Sequence, residues 1–103
     1  MRARTELHAK LVEALGSPYV YFQPPENLRL YSGDKIVYSR DGLDTQHADD
    51  TKYIGLARYT VTLITKDPDL PLITELPSLF DYCSFDRPYT SNGSNHNVYT
   101  IFY

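Results

Sequence analysis

The sequence predicts one α+β domain, in which a mostly antiparallel β-sheet carries an N-terminal helix and a second short helix packed on one face. Three observations lead to this fold: a helical apolar stripe near the N-terminus, alternation over residues 58–66, and an Asn92-Gly93 pair between two β-type segments. The chain has 103 residues, of which 42% are apolar or aromatic. This length is enough for one hydrophobic core and too short for two, so we expect a single domain over residues 1–103.

The first helix is predicted over residues 5–15. Its apolar stripe comprises Leu7, Leu11, Ala14 and Leu15. These positions share one helix face, and Gly16 follows where a left-handed cap is favoured. Pro18 prevents the helix from continuing, and residues 19–22 have the composition of a short strand that ends at a proline pair.

Two strands with a long polar loop between them are predicted in the middle of the chain. Residues 35–39 form a β-type apolar run, whereas residues 41–51 are the most polar stretch of the protein. Strand character resumes at Lys52 and becomes clear over residues 58–66, where apolar and polar residues alternate. We therefore expect this later strand to have one buried face and one face that is wet or in contact with a partner.

A short second helix and a C-terminal hairpin complete the predicted fold. An Asp-Pro-Asp turn signal precedes apolar residues at helical spacing, and this helix must end before Pro77. Strands are predicted over residues 82–85 and 97–103, with residues 86–96 as the turn and Asn92-Gly93 near its tip. Because the last strand offers apolar groups to both faces, we expect it to be central or covered on both sides.

Composition narrows the functional classes. The formal net charge is −3 and the charged residues are spread along the chain, which argues against a protein drawn as a whole to phosphate backbones. Cys83 is the one cysteine, so no intramolecular disulfide forms, and we interpret it as a core thiol. No stretch approaches the ~20 apolar residues of a membrane span, so we expect a soluble protein. Ten tyrosines without a tryptophan are the unusual feature, because tyrosine is enriched in strands and at interfaces.

The acidic segment at residues 41–50 is the first candidate for chemistry. Its aspartates supply the oxygen ligands that Ca²⁺ or Mg²⁺ prefers, but their spacing does not match the calcium-loop pattern. We interpret the segment as a solvated connection and keep a metal site as the alternative. The run Asp50-Thr51-Lys52 resembles the end of metal-dependent nuclease sites, yet such short patterns arise often by chance.

Other catalytic patterns are weaker still. The three histidines, His8, His47 and His96, are scattered, and no His or Cys pair has the spacing of zinc ligands. Cys83, Ser84 and His96 form no specific nucleophile pattern, and the glycine-rich phosphate and dinucleotide motifs are missing from the sequence. We therefore predict a protein that is not an enzyme and that needs no cofactor or metal.

Two groups of basic residues are candidates for a patch that contacts DNA. They are Arg2, Arg4 and Lys10 in the first helix region, and Arg58 and Lys66 around a strand. We interpret them as solvated positions, given the acidic balance of the chain, and keep contact with DNA passing through a lumen as the alternative.

Four blocks of sequence carry a family resemblance: residues 19–25, 58–68, 83–87 and 96–103. In these blocks the chain resembles the small tail terminator proteins, also called tail completion or minor tail proteins, of long non-contractile-tailed phages and prophages of Gram-positive bacteria. The resemblance spans nearly the whole length and keeps the order of the blocks. Because none of the blocks is a catalytic signature, the resemblance identifies a lineage and not a reaction.

The resemblance implies a structural virion protein that forms a hexameric ring. Such a ring caps the head-proximal end of the tail tube, ends polymerisation and offers the surface that joins the head. The implied partners are other copies of the chain, the major tail tube protein, a head-completion or stopper neck protein, and DNA in the lumen, with no membrane. The implied location is the virion neck, and the host cytoplasm during assembly. Another neck protein, on the portal side, is the alternative, and a metal-dependent enzyme is a third.

A closed ring needs two different complementary surfaces on each subunit. We expect part of the 58–66 strand and the acidic segment to lie at or near one subunit contact. The candidate contact residues are Arg58, Tyr59, Thr60, Asp41, Asp44, Asp49 and Asp50.

Overall fold

The computed structural model describes residues 3–44 and 55–103. Its elements are α1 (Arg4–Leu15), β1 (Val20–Phe22), β2 (Lys35–Asp44), β3 (Leu56–Thr65), α2 (Leu72–Glu75), a 3₁₀ turn (Leu76–Leu79), β4 (Cys83–Ser91) and β5 (Ser94–Phe102). The described strands form one sheet in the order β1-β2-β3-β5-β4, in which β1 and β2 are parallel and the other neighbours are antiparallel. The predicted α+β class with a mostly antiparallel sheet is confirmed.

The first helix forms where its apolar stripe predicts it. Leu7 and Leu11 are fully buried against the sheet, and Ala14 and Leu15 pack at the margin of the core. Gly16 adopts a left-handed φ of 77°, and its N–H donates to the Val12 carbonyl at 2.9 Å, which closes the last turn. The helix has no side-chain N-cap, so packing of this stripe is its main support.

The core lies between the helices and one face of the sheet, which we call the helix-bearing face. Three tyrosines from three strands dominate it: Tyr38, Tyr59 and Tyr99 are each at most 1% exposed. The Tyr99 hydroxyl donates to the Ile73 carbonyl at 2.7 Å and so ties the α2 segment to β5. A buried tyrosine contributes a large apolar area while its hydroxyl needs a partner, and these rings meet both needs.

The strand before the acidic segment and the two strands of the final hairpin are longer than predicted. β2 continues past residue 39 to Asp44, with a bulge between Arg40 and Gly42. The expected turn over residues 86–96 is wrong, because β4 runs to Ser91 and the turn is Asn92-Gly93 alone. Both turn residues have positive φ, 53° and 77°, as a tight primed hairpin turn requires. Residues of β4 after Cys83 are exposed, so they lack the alternation that marks a half-buried strand.

The last strand is interior, as predicted, since β5 pairs with both β3 and β4. The chain end is also fixed: Tyr103 is 2% exposed and exchanges two backbone hydrogen bonds with Ala57, at 3.0 and 3.2 Å. The second helix ends before Pro77, which lies in the 3₁₀ turn that follows. Within the described residues, no helix has the length and hydropathy needed to cross a bilayer.

Candidate subunit-contact surfaces

Neither α1 nor the α2 segment, the helices of the described residues, packs on one of the two faces of the sheet. Across this face runs a row of hydroxyl groups, in which the register aligns Ser39 of β2, Thr60 of β3, Thr100 of β5 and Ser84 of β4. We call this face the open face. It is the wet or interfacial face that the alternation of the 58–66 segment predicts.

Two aspartates lie beside this row, Asp41 in β2 and Asp86 in β4. The Thr60 hydroxyl donates to Asp41, and the Thr100 hydroxyl donates to Asp86 at 2.6 Å. Asp41 and Asp86 both lie at bulges, where an extra residue re-aims a side chain on the strand. Each carboxylate thus has a hydrogen-bond donor on a neighbouring interior strand.

The structure brings together some of the predicted contact residues and separates others. Asp41 and Thr60 meet on the open face, and the exposed Arg58 extends over Gly42, where an added Cβ would lie 3.8 Å from its Nη2. Tyr59 is on the opposite side of the strand and fully buried. Tyr59 therefore does not share the surface of Arg58 and Thr60, because successive side chains of a strand point to opposite faces, and its place near a subunit contact stays a prediction.

Tyr59 instead supports a neighbouring surface arginine. Its hydroxyl accepts from Nε and Nη2 of Arg40, at 3.4 and 3.3 Å, and the Arg40 guanidinium carbon lies 5.5 Å from the Tyr59 ring centroid. Arg40 was not among the predicted contact residues. Arg40 lies opposite Tyr59 in the β2–β3 register, on the helix-bearing face. The sequence alone does not give this register.

The acidic segment is described only at its start. The backbone of Asp44 ends β2 opposite Leu56, whereas Asp49, Asp50 and the Asp50-Thr51-Lys52 run lie outside the described residues. Over residues 3–44 and 55–103, no group of three or more His, Cys, Asp or Glu side chains is arranged to hold a metal ion.

Among the described residues, four of the five large exposed apolar side chains lie at two opposite edges of the sheet, and the fifth, Leu79, ends the 3₁₀ turn. Leu28 and Tyr31, 46% and 43% exposed, lie in the connection that follows the β1 edge strand. Phe85 and Tyr89, 45% and 44% exposed, lie on the β4 edge strand. Such residues are enriched at protein interfaces, so the molecule has two unlike candidate contacts on opposite sides.

The first of these, the β1-edge surface, comprises Tyr19, Leu28, Arg29 and Tyr31. Tyr31 stacks on Tyr19 with ring centroids 3.6 Å apart, and its N–H donates to the Tyr21 hydroxyl at 3.1 Å. Gly33 leaves room for this ring, because a Cβ there would lie 2.5 Å from Tyr31. The exposed tyrosine is therefore held in place by its own chain.

The second, the β4-edge surface, comprises Phe85 on the helix-bearing side of the strand and, after the bulge, Arg87 and Tyr89 on the open side. Tyr89 stacks on His96 at 4.7 Å, and the Arg87 guanidinium carbon lies 5.9 Å from the Tyr89 centroid. Pro88 lacks an N–H, and the bulge between Phe85 and Arg87 interrupts the strand, so this edge is poorly suited to pairing with another strand. A partner at this edge is expected to bind through side chains.

The predicted basic groups are partly used by the fold itself. Arg4 donates to the Tyr38 hydroxyl at 3.0 Å and lies 4.3 Å over the Phe22 ring, while Lys10 lies 5.2 Å from the Tyr103 centroid. The Tyr38 hydroxyl also hydrogen-bonds Nδ1 of His8 at 2.8 Å. Burial, and then the charge of Arg4, lower the pKa of His8, so its neutral form is favoured.

The lone cysteine is not arranged as a nucleophile. Burial, and then the charge of Asp86, raise the pKa of the Cys83 thiol to about 11. Cys83 pairs with Ile101 near one end of the hairpin, and His96 pairs with Tyr89 near the other end. The structure therefore does not bring Cys83 and His96 together.

No family model matches this sequence, and comparisons with curated proteins and with solved structures find no match either.

Proposed function

We propose that this protein is a ring-forming tail terminator of a long-tailed phage, which caps the head-proximal end of the tail tube and provides the surface for head joining. The observation that carries the proposal is the position of exposed aromatic and aliphatic side chains at opposite edges of the sheet. The sequence resemblance over residues 19–25, 58–68, 83–87 and 96–103 supplies the biological setting.

Two unlike edges are what a ring requires. A subunit that contacts its neighbours head to tail uses one surface on each side, and the ring closes when the rotation between copies divides a full turn. The β1-edge and β4-edge surfaces differ in sequence and shape and lie on opposite sides of one sheet. A chain of about 100 residues also buries a modest share of its surface by itself, so association adds useful stability.

The open face suits a different and wetter contact. Its exposed or half-buried hydroxyls, with Asp41, Asp86 and Arg58, offer hydrogen bonds and charge, and such polar surfaces commonly bind with bridging water. We infer that this face, with Arg58 and Thr60, meets a neighbouring subunit, the tube or the head-side partner. The predicted contact is thereby reduced to the members that lie at the surface.

Native mass spectrometry tests the proposal. The purified protein is measured alone and then with isolated tail tubes that lack a terminator, and a ring that forms in solution or on the tube end supports the terminator function. A protein that ignores tubes but binds portal-containing heads would instead be a head-completion or stopper protein. A monomer that binds neither would refute both.

A further inference from the structure

A cleft lies beside the β4–β5 hairpin, and neither the predicted contact nor the open face includes it. Its volume is about 350 Å³, and it is lined by Pro68, Ile73, Pro88, Tyr89, Thr90, Asn95 and Asn97. The lining is uncharged, with two prolines, an aliphatic side chain and an aromatic ring as its apolar part. Such a cleft suits a short stretch of chain with apolar side chains.

Asn97 gives the cleft an unused hydrogen-bonding group. The residue is 5% exposed, and its Nδ2 has no acceptor within the described residues. Buried amides are nearly always paired, so an orphaned donor needs an explanation. The Nδ2 atom is enclosed in this structure, so the amide must rotate about its last bond to present the nitrogen to the cleft, where a peptide carbonyl would satisfy it.

The rim of the cleft is acidic. Asp67 and Asp69 flank Pro68 and are both exposed. The Asp67 carboxylate accepts the Asp69 N–H at 2.9 Å, which holds this turn, whereas the Asp69 carboxylate has no ion pair with a described residue. A partner segment with a basic side chain next to its apolar groups therefore matches this rim.

The β1-edge surface has this chemistry. Arg29 is exposed and lies between the exposed Leu28 and Tyr31. The β1-edge surface and the cleft lie at a similar height along the strands. The Tyr31 N–H donates to the Tyr21 hydroxyl, and the register that starts at Tyr21 crosses the sheet to Val98, the neighbour of Asn97. The Tyr21 row is on the open face and Asn97 is on the opposite face, so a contact between this surface and the cleft requires successive copies to be tilted about the strand direction.

We propose that the hairpin cleft binds residues 28–31 of a second copy of this chain, an inference that rests on the ring assembly proposed above. Leu28 and Tyr31 of the second copy pack on the prolines and Tyr89, and Arg29 pairs with Asp69. A backbone carbonyl of the segment accepts from Asn97. The contact is heterologous, since the cleft and its occupant are different parts of the chain.

A charge exchange tests the pairing. Arg29→Asp and Asp69→Arg each place like charges in the contact, and we expect either single variant to weaken self-association at least tenfold, as measured by native mass spectrometry over a concentration series. The double variant restores the attraction and returns the assembly toward that of the wild type. Glu13→Arg, on an exposed position of α1, is the control for changed net charge and is expected to assemble normally.

Asn97→Leu separates binding from a role in the core. The variant removes an unpaired buried donor at similar volume, so we expect the isolated monomer to melt several degrees higher, on the order of 4 °C or more, while assembly weakens. Assembly of wild-type strength in Asn97→Leu, or single charge variants that assemble normally, would overturn the cleft contact while leaving the ring intact. A wild-type protein that forms no ring, alone or on tubes, would overturn the ring proposal and this contact together.

Discussion

The helix-bearing face and the open face of the sheet come from the same strands but use their hydroxyl groups differently. On the first, the buried rings of Tyr38, Tyr59 and Tyr99 reach the margin of the core, where their hydroxyls bond to groups on other elements. On the second, Thr60 and Thr100 donate to aspartates of adjacent strands. Substitutions on the two faces are therefore expected to divide into effects on stability and effects on assembly.

The largest expected effect is loss of the fold when residues 101–103 are removed. Ile101 and Tyr103 are almost completely buried, and Tyr103 closes two backbone hydrogen bonds with Ala57. We expect the truncated chain to lose its cooperative thermal transition in circular dichroism, because interior β-structure and core packing are lost together. Phe102→Ala, at the half-buried neighbouring position, is the control and should retain a transition. A truncated chain that still melts cooperatively would contradict this assignment.

Charge reversal at Arg58 tests the open face. Arg58 is exposed beside Gly42, so Arg58→Glu should change the free energy of unfolding by no more than about 0.5 kcal/mol. We expect it nevertheless to reduce ring assembly or tail joining at least tenfold, measured by native mass spectrometry and by binding to tail tubes. Lys66→Glu is the matched control, an exposed basic position just after the same strand. Intact assembly and joining in Arg58→Glu would count against this contact.

Removal of one hydroxyl from each face gives a smaller and more direct comparison. Tyr99→Phe leaves the partly buried Ile73 carbonyl without the donor 2.7 Å away, and we expect a loss of about 1–2 kcal/mol in the free energy of unfolding by urea titration. Thr60→Val removes the donor to the exposed Asp41, and its carboxylate can bond to water, so we expect a loss below about 0.5 kcal/mol. Equal losses in the two variants would mean that the faces do not divide in this way.

Periodic segments were predictable, and segments defined by non-local pairing were not. The stripe of Leu7 and Leu11 and the alternation around Tyr59 follow from local periods of 3.6 and 2, and both appear in the structure. The exposed part of β4 carries no such period, and the bulge after Arg40 depends on register with β3. The parallel pairing of β1 with β2 likewise depends on how the intervening connection returns along the sheet.

The candidate contacts show the same limit. The contact predicted from the sequence grouped Arg58, Thr60 and Asp41, and these residues do share the open face. The same group also contained Tyr59, whose side chain is buried. The β1-edge surface, the β4-edge surface and the hairpin cleft had no sequence signal, because strand order decides which residues become edges. The exposed tyrosines were the available hint, since tyrosine is enriched at interfaces.

The smallest expected effect is a pH dependence that belongs to the helix-bearing face. Burial and Arg4 lower the pKa of His8 below its unfolded value of 6.5, so in the acid range the unfolded chain binds more protons than the folded one. The contribution of neutral His8 is therefore fully present above pH 6.5 and is lost as the pH falls through the folded pKa. We expect the thermal midpoint to fall modestly between pH 7.5 and 5.0, because His8 is partly exposed.

His8→Gln should flatten this part of the pH profile, whereas His96→Gln, which changes a ring stacked on Tyr89 and not on the Tyr38 network, should leave it in place. Thermal melts of the two variants across the same pH range measure the difference. An unchanged slope in His8→Gln would show that acid sensitivity has its origin elsewhere. The reduced slope expected here would assign it to the burial of His8 and the charge of Arg4, at the place where α1 contacts Tyr38 of the sheet.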